Sequence, residues 1–381
     1  MKITGFTNVQ LVLEDKVIRG DIHFEDGIIH LGKASGCSSL PSTYYVVPGF
    51  IDEHIHGAGG CDVMDGEESS LSVIANSLPQ EGVTSFLATT MTESISSIQK
   101  ALTAVKNHPN TKGSRILGVH LEGPFISSTF KGAQAEEHIR KPNAELLRSL
   151  DECSGNRIRL VTFAYEEEGG EEFLQECLTR GITPSLGHSD ASGTKALEGF
   201  SKGISCVTHL YNAQRRFHHR DIGVTGASLL DKNVYTELIA DFHHSSKEAV
   251  KFALQCKPSD KMILISDSTE AKYLPLGTSA VLGSQPIHVE DGVAKLEDGT
   301  IAGSVLRLDK ALQNIRSLFP EMPLHELIAM VSINPAKNIR VDDKYGSIRE
   351  GKVADLVVLD ENLNVVMTFI GGELAFAKES L

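Results

Sequence analysis

Short apolar runs recur through the middle of the chain, and many are followed by a stretch with helical spacing. Eight candidate strands stand out: "GFIDEHIHG" (49–57), "GVTSFLATTM" (82–91), "RILGVHLEG" (115–123), "IRLVTFAYE" (158–166), "ITPSLGHSD" (182–190), "ISCVTHLYNA" (204–213), "VYTELIADFHH" (234–244) and "KMILISDST" (261–269). Helical stretches such as Gly170–Arg180 and Ser246–Gln255 lie between them. Apolar runs of this length, each leading into a helix, predict parallel strands with helical crossovers. Eight βα units over about 250 residues are what an α/β fold of the (β/α)8 TIM-barrel type needs.

The two ends follow another pattern. "KITGFTNVQLVL" and "VIRGDIHFEDGIIHLG" read as short strands, with Asp26-Gly27 as a hairpin turn. "GSIREGKVADLVVLDENLNVVMTFIGGELAF" near the C-terminus also alternates β-prone residues and carries no long helical pattern. The expected organisation is a small β-sandwich domain built from residues 1–48 and 345–381 around a barrel of residues 49–344.

Composition narrows the function. The chain has 381 residues, 41% hydrophobic and 23% charged, as in ordinary globular proteins. Its formal net charge of −14 argues against broad nucleic-acid or anionic-membrane binding, while leaving room for a local basic pocket. The six cysteines are scattered without a C-x-x-C, which predicts reduced thiols in a cytoplasmic protein. The N-terminal "MKITGFTNVQLVLEDK" lacks the apolar core of a secretion signal, and no apolar run reaches the roughly 18 residues of a membrane span.

The polar residues fall where such a barrel places its chemistry, at the C-terminal ends of the strands. His54 and His56 end the first candidate strand, Glu122 the third, His188 the fifth, His209 the sixth and Asp267 the eighth. An H-x-H on a strand directs both rings to one face. Imidazoles with carboxylates suit Zn²⁺ and similar divalent metals, and a further carboxylate that accepts and returns a proton completes a hydrolase. Asp267 is the candidate for that proton transfer, and the other five are candidate ligands. Each also has a plainer reading: Glu122 could pair with a buried base, and Asp267 could cap the next segment. Convergence at successive strand ends favours the metal site.

Three other stretches are candidates for substrate contact. "QRRFHHRDIG" places Arg215, Arg216, His218, His219 and Arg220 after strand six, as either a solvated loop or an anion grip. "ADFHHSS" places His243 and His244 after strand seven. "IAGSVLRL" reads as a glycine turn feeding a helix.

The motifs "PGFIDEHIHG", "GVHLEGPFIS", "KGAQ", "LGHSDA", "THLYNA", "HHRDIG", "SDSTEA", "IAGS", "SINPAKNIR" and "GSIREGKVADLVVLD" occur in an order that resembles the amidohydrolase superfamily. More closely, the chain is similar over essentially its whole length to the N-acetylglucosamine-6-phosphate deacetylase family. That resemblance implies a homodimer that removes the acetyl group from an N-acetylated hexosamine 6-phosphate in amino-sugar catabolism, using one or two divalent ions, Zn²⁺ first and Fe²⁺, Mn²⁺ or Co²⁺ as alternatives. It implies Glu122, His188 and His209 as principal metal ligands, His54 and His56 as a second-metal pair, and Asp267 as the catalytic carboxylate. It places Ala133, Gln134, Asn212, Ala213, Arg220, His244, Ala302, Gly303 and Ser304 at substrate-binding positions, with Arg220 and His244 at the phosphate and part of the site supplied by the dimer partner. The fourth strand, "RIRLVTFAYEE", has no lysine of the kind that bridges two metals in dihydroorotase-like relatives, which favours the deacetylase branch.

Three departures stand out. "QRRF" replaces the usual Met-Pro-Pro-Leu, Phe242 stands at a usual glycine, and Tyr273 is atypical. Placed at the barrel mouth, they would leave the chemistry intact and open the choice of sugar, including a galactosamine-type substrate. Rival readings are another amide hydrolase of the superfamily and a non-catalytic barrel scaffold. Filled ligand positions speak against the scaffold.

Overall fold

The computed structural model describes residues 3–34, 36–275, 277–290 and 292–378. At the N-terminus, β1 (Gly5–Val12), β2 (Val17–Glu25), β3 (Ile28–Leu31) and β4 (Tyr45–Pro48) are short strands. The turn between β2 and β3 is Asp26-Gly27, with both residues at positive φ (49° and 77°). That is the two-residue hairpin geometry whose twist matches the flanking strands.

Eight parallel strands follow: β5 (Phe50–Ile55), β6 (Val83–Thr89), β7 (Arg115–Glu122), β8 (Ile158–Phe163), β9 (Thr183–Leu186), β10 (Cys206–Val207), β11 (Tyr235–Leu238) and β12 (Met262–Leu264). Each pairs in parallel with its sequence neighbour. The sheet closes through a parallel bridge between Ile55 and Ser268, supported by the Asp267 N–H donating to the His54 carbonyl at 2.8 Å. These are the eight runs expected from the apolar pattern, closed as a (β/α)8 barrel.

The helices show why the alternation was readable. α1 (Gly170–Arg180) is bounded by Gly169 and Gly181, both left-handed, and buries Phe173, Leu174 and Cys177 on one face. α2 (Gly223–Leu230) and α3 (Lys247–Cys256) follow β10 and β11, and Ser246 caps α3 by accepting the Ala249 N–H. α4 (Leu308–Leu318) packs back after β12.

Between β12 and α4 lies an antiparallel insertion of β13 (Ala280–Leu282), β14 (Gln285–Glu290) and β15 (Val293–Lys295). Its apolar centre joins Ala280, Leu282, Ile287 and Ala294 to Met91, Ala271 and Ala302 of the barrel mouth. The sequence reading did not anticipate these strands, although the dipeptides "GS" (283–284) and "DG" (291–292) were available in the sequence as turn signals.

The chain ends in β16 (Leu356–Leu359), β17 (Val365–Ile370) and β18 (Glu373–Ala377). They join the N-terminal strands in one sheet of order β18-β17-β16-β4-β1-β2-β3, with Ser38–Ser39 pairing off β1. The sheet curls around Phe6, Phe24, Ile29, Val46, Val358 and Phe369 as a sandwich-like layer with its own core.

Candidate active site

The strands deliver their polar residues to one mouth, with unusual backbone at three of them. His188, His209 and Asp267 sit two or three residues beyond β9, β10 and β12, with φ of 47°, 28° and 50°. Non-glycine residues there cost on the order of 1–3 kcal/mol each and persist only when neighbours fix them. The His188 carbonyl accepts the Ser127 N–H at 2.8 Å, the His209 N–H donates to Glu237 at 3.2 Å, and the Asp267 carbonyl accepts the Ser304 N–H at 2.7 Å. Left-handed backbone at a strand end turns each side chain inward.

Glu122 is the hub. Its Oε1 lies 3.2 Å from His188 Nε2, 3.2 Å from His209 Nε2 and 3.4 Å from His54 Nε2; its Oε2 lies 3.3 Å from His56 Nε2. Asp267 Oδ1 lies 3.2 Å from His56 Nε2 and 3.4 Å from His54 Nε2. Two donor sets adjoin here, Glu122–His188–His209 and His54–His56–Asp267. His54 and His56 do face one way, as the H-x-H spacing requires.

The donor chemistry fits a cation. His188 Nδ1 donates to the Phe130 carbonyl at 3.0 Å, so in the neutral ring Nε2 is a bare acceptor. It nevertheless points at His209 Nε2, 3.0 Å away, and at the Glu122 carboxylate. Atoms converging this closely need a proton or a metal ion between them. Buried His54 Nε2 also has no hydrogen-bond partner among the described residues.

Electrostatics agree. Burial opposes charge on Glu122, but the surrounding imidazoles of His54, His188 and His209 outweigh it and hold its carboxyl well below the usual range. Burial likewise pushes His56 down, and hydrogen bonds to Asp267 and Glu122 overcome it, lifting His56 to about 9. Burial would raise Asp267, but His54 and His56 bring it down to about 2. The carboxylates stay ionised because positive charge sits among the rings, a place that protons or a metal can fill.

A cavity of about 350 Å³ opens over these groups. Glu122, His188, His209, His56 and Asp267 line it, together with Ala133, Gln134, Asn212, Ala213, His244 and Gly303 from the expected substrate positions. Gln134 has its amide fixed at both ends: Oε1 accepts the Thr92 N–H at 2.7 Å, and Nε2 donates to Glu122 Oε2 at 2.8 Å. His244 Nδ1 lies 2.6 Å from Asp241 Oδ2. Gly303, at φ 61°, lets its turn approach closely, since a Cβ there would stand 2.7 Å from Thr269 Cγ2 and 3.0 Å from the Asp267 carbonyl.

Other expected positions lie elsewhere. His54 is fully buried behind the cavity wall. Ala302 and Ser304 are buried beside it, and Ser304 bonds the Asp267 and Thr269 backbones. Arg220 is exposed and outside the lining, whereas Arg216 of the same loop lines the cavity. Arg215 is engaged with Asp190 at 2.7 Å and Asp221 at 2.9 Å.

The three sequence departures separate. Only "QRRF" reaches the cavity, through Arg216. Phe242 takes φ 67°, the left-handed conformation that suits a glycine, and its ring faces Lys247 at 5.3 Å, outside the cavity lining. Tyr273 lines a separate hollow with Leu274, Pro275 and Val289. The expectation that all three bear on the sugar is corrected for these two.

The sequence reading passed over Glu237, which meets His54, and His120, which lies 2.7 Å from Thr162 Oγ1 below the site. A glutamate inside an apolar strand was the available signal for Glu237, because such residues are rarely buried without a partner. It also passed over Leu282 and Thr300, which close the cavity together with Ile301 at the start of the expected glycine turn.

Residues 45–375 match the model of the amidohydrolase family. An N-acetylglucosamine-6-phosphate deacetylase of Bacillus subtilis is 37% identical over 382 residues, covering 97% of this chain and 96% of that one. An N-acetylgalactosamine-6-phosphate deacetylase of Escherichia coli O157:H7 is 35% identical, covering 86% and 87%. The crystal structure of an N-acetylglucosamine-6-phosphate deacetylase from Thermotoga maritima superposes with a TM-score of 0.89 at 38% identity, covering 98% of this chain and 99% of that one.

Proposed function

The chain belongs to the amidohydrolase family, and from that premise we propose that it removes the acetyl group from N-acetylglucosamine 6-phosphate, giving glucosamine 6-phosphate and acetate. The observation that carries the reading is one cavity lined by the Glu122–His188–His209 set, Asp267, and the basic side chains Arg216 and His244. Its size suits a sugar phosphate.

Glu122, His188 and His209 would hold the principal metal, and His54 and His56 a second. Imidazole and carboxylate donors favour Zn²⁺, with Fe²⁺, Mn²⁺ and Co²⁺ as alternatives. A bound divalent ion supplies Lewis acidity, acidifying water and polarising the acetyl carbonyl. Asp267 takes the proton of the attacking water and hands it to the departing amine as the C–N bond breaks. Gln134, held by Thr92, fixes the Glu122 carboxylate. Asn212, the neighbouring alanines and the Gly303 turn shape the sugar subsite.

Arg216 and His244 would meet the phosphate, joined by Arg220 of a second copy in a homodimer. Phe217 and Leu230 support that assembly: they are 61% and 62% exposed, on the loop that carries Arg220 and on the helix that follows it. Phe217 lies against Gly226 of α2, one turn before Leu230. The six free cysteines support a reducing compartment, and we place the enzyme in the cytoplasm.

The test is acetate release from a panel of N-acetylhexosamine 6-phosphates and their unphosphorylated sugars. Turnover confined to the phosphorylated gluco compound is expected. Preference for the galacto epimer would favour the second reading, which the Escherichia coli relative motivates. No turnover of any hexosamine would favour another amide substrate or the scaffold. Arg216→Ala and Arg220→Ala should each raise KM for the phosphorylated sugar about tenfold or more, as loss of a charge-assisted hydrogen bond does; an unchanged KM would take that arginine off the phosphate.

A further inference from the structure

Glu237 projects from β11 into the barrel interior and is fully buried. Its Oε2 lies 3.0 Å from His54 Nδ1 and 3.2 Å from the His209 backbone nitrogen. A backbone N–H can only donate, so this oxygen accepts from His209. The same oxygen then accepts from His54, which places a proton on Nδ1. Nε2 of that ring has no hydrogen-bond partner among the described residues and faces Glu122 Oε1 and Asp267 Oδ1, each at 3.4 Å. One carboxylate oxygen therefore holds the outer nitrogen of a residue in one donor set and the backbone of a residue in the other.

We infer that Glu237 is a positioning residue for metal: it fixes His54 with Nε2 bare for the second ion and ties that ion's site to the loop carrying His209. The inference rests on the metal site proposed above. Carboxylates that orient metal-binding histidines in this way typically contribute about 10–100-fold to metal affinity. Glu237→Gln removes the charge while keeping the shape.

The test is zinc titration of the full-length protein, with chelator competition and metal analysis. Wild-type protein is expected to take two Zn²⁺ per chain. Glu237→Gln should keep the tighter ion and bind the weaker one about 10–100-fold less well. Retention of the tighter ion reports that the barrel is folded. Unchanged affinity for both ions in the variant would overturn the inference and leave the metal reading intact, as would a wild-type chain that takes only one ion. A wild-type chain that takes none would overturn the metal reading itself. If the variant does not fold, the wild type decides: histidine ¹⁵N spectra of the zinc-loaded protein should show His54 protonated at Nδ1, assigned by its loss in His54→Asn. A His54 protonated at Nε2 instead would refute the inference.

Discussion

Asp267→Asn is expected to lower kcat on the phosphorylated amino sugar by about 10³-fold or more while the protein keeps the ion held by Glu122, His188 and His209. A positioned general acid–base typically contributes 10²–10⁴-fold, and here one carboxylate serves both steps. The amide cannot take the proton of the attacking water, nor return one to the amine. Asp267 lies outside the Glu122–His188–His209 set, so that ion should survive. Steady-state kinetics with metal analysis of the same sample check this. Residual activity above a few per cent would refute the assigned role.

Glu122→Gln should give the opposite pattern, with loss of bound metal as the primary defect. Both carboxylate oxygens face imidazoles, and the distances from Oε1 to three of them are 3.2–3.4 Å. Removing this charge takes the one carboxylate from the Glu122–His188–His209 set and an anion 3.3–3.4 Å from His56 and His54. Metal content after desalting should fall to background and activity with it. His56, lifted to about 9 partly by Glu122, should titrate lower in metal-free Glu122→Gln than in the metal-free wild type. Proton NMR of the histidine rings follows this directly. A variant that kept its metal would place the principal ligand elsewhere.

The barrel was legible because each strand is a short apolar run ended by a polar residue, and a helix with its own boundary signals follows many of them. The site was legible because those polar ends are imidazoles and carboxylates. Glu237 was not legible: its value lies in a bond to His54, 183 residues away, and spacing within a strand says nothing of that. Arg216 and Arg220 illustrate a second limit. Both stand in one basic run, and only the path of the loop decides which faces the cavity. The roles of Phe242 and Tyr273 were misplaced for the same reason. Their strangeness was visible in the sequence, and the direction of their side chains was not. The insertion went unread because its strands are short and local turn signals compete with the pull of the barrel pattern.

The insertion divides the cavity between two parts of the chain. The groups that do the chemistry come from barrel strand ends, while Leu282 comes from a small sheet that packs on the mouth and Thr300 and Ile301 from the chain that leaves it. That sheet enters and leaves the chain between one barrel strand and the next helix. Descent with modification can therefore remodel it, or exchange it whole, without disturbing the residues that hold metal and move protons. New substrates can be sampled at the rim while the old reaction is inherited unchanged beneath it.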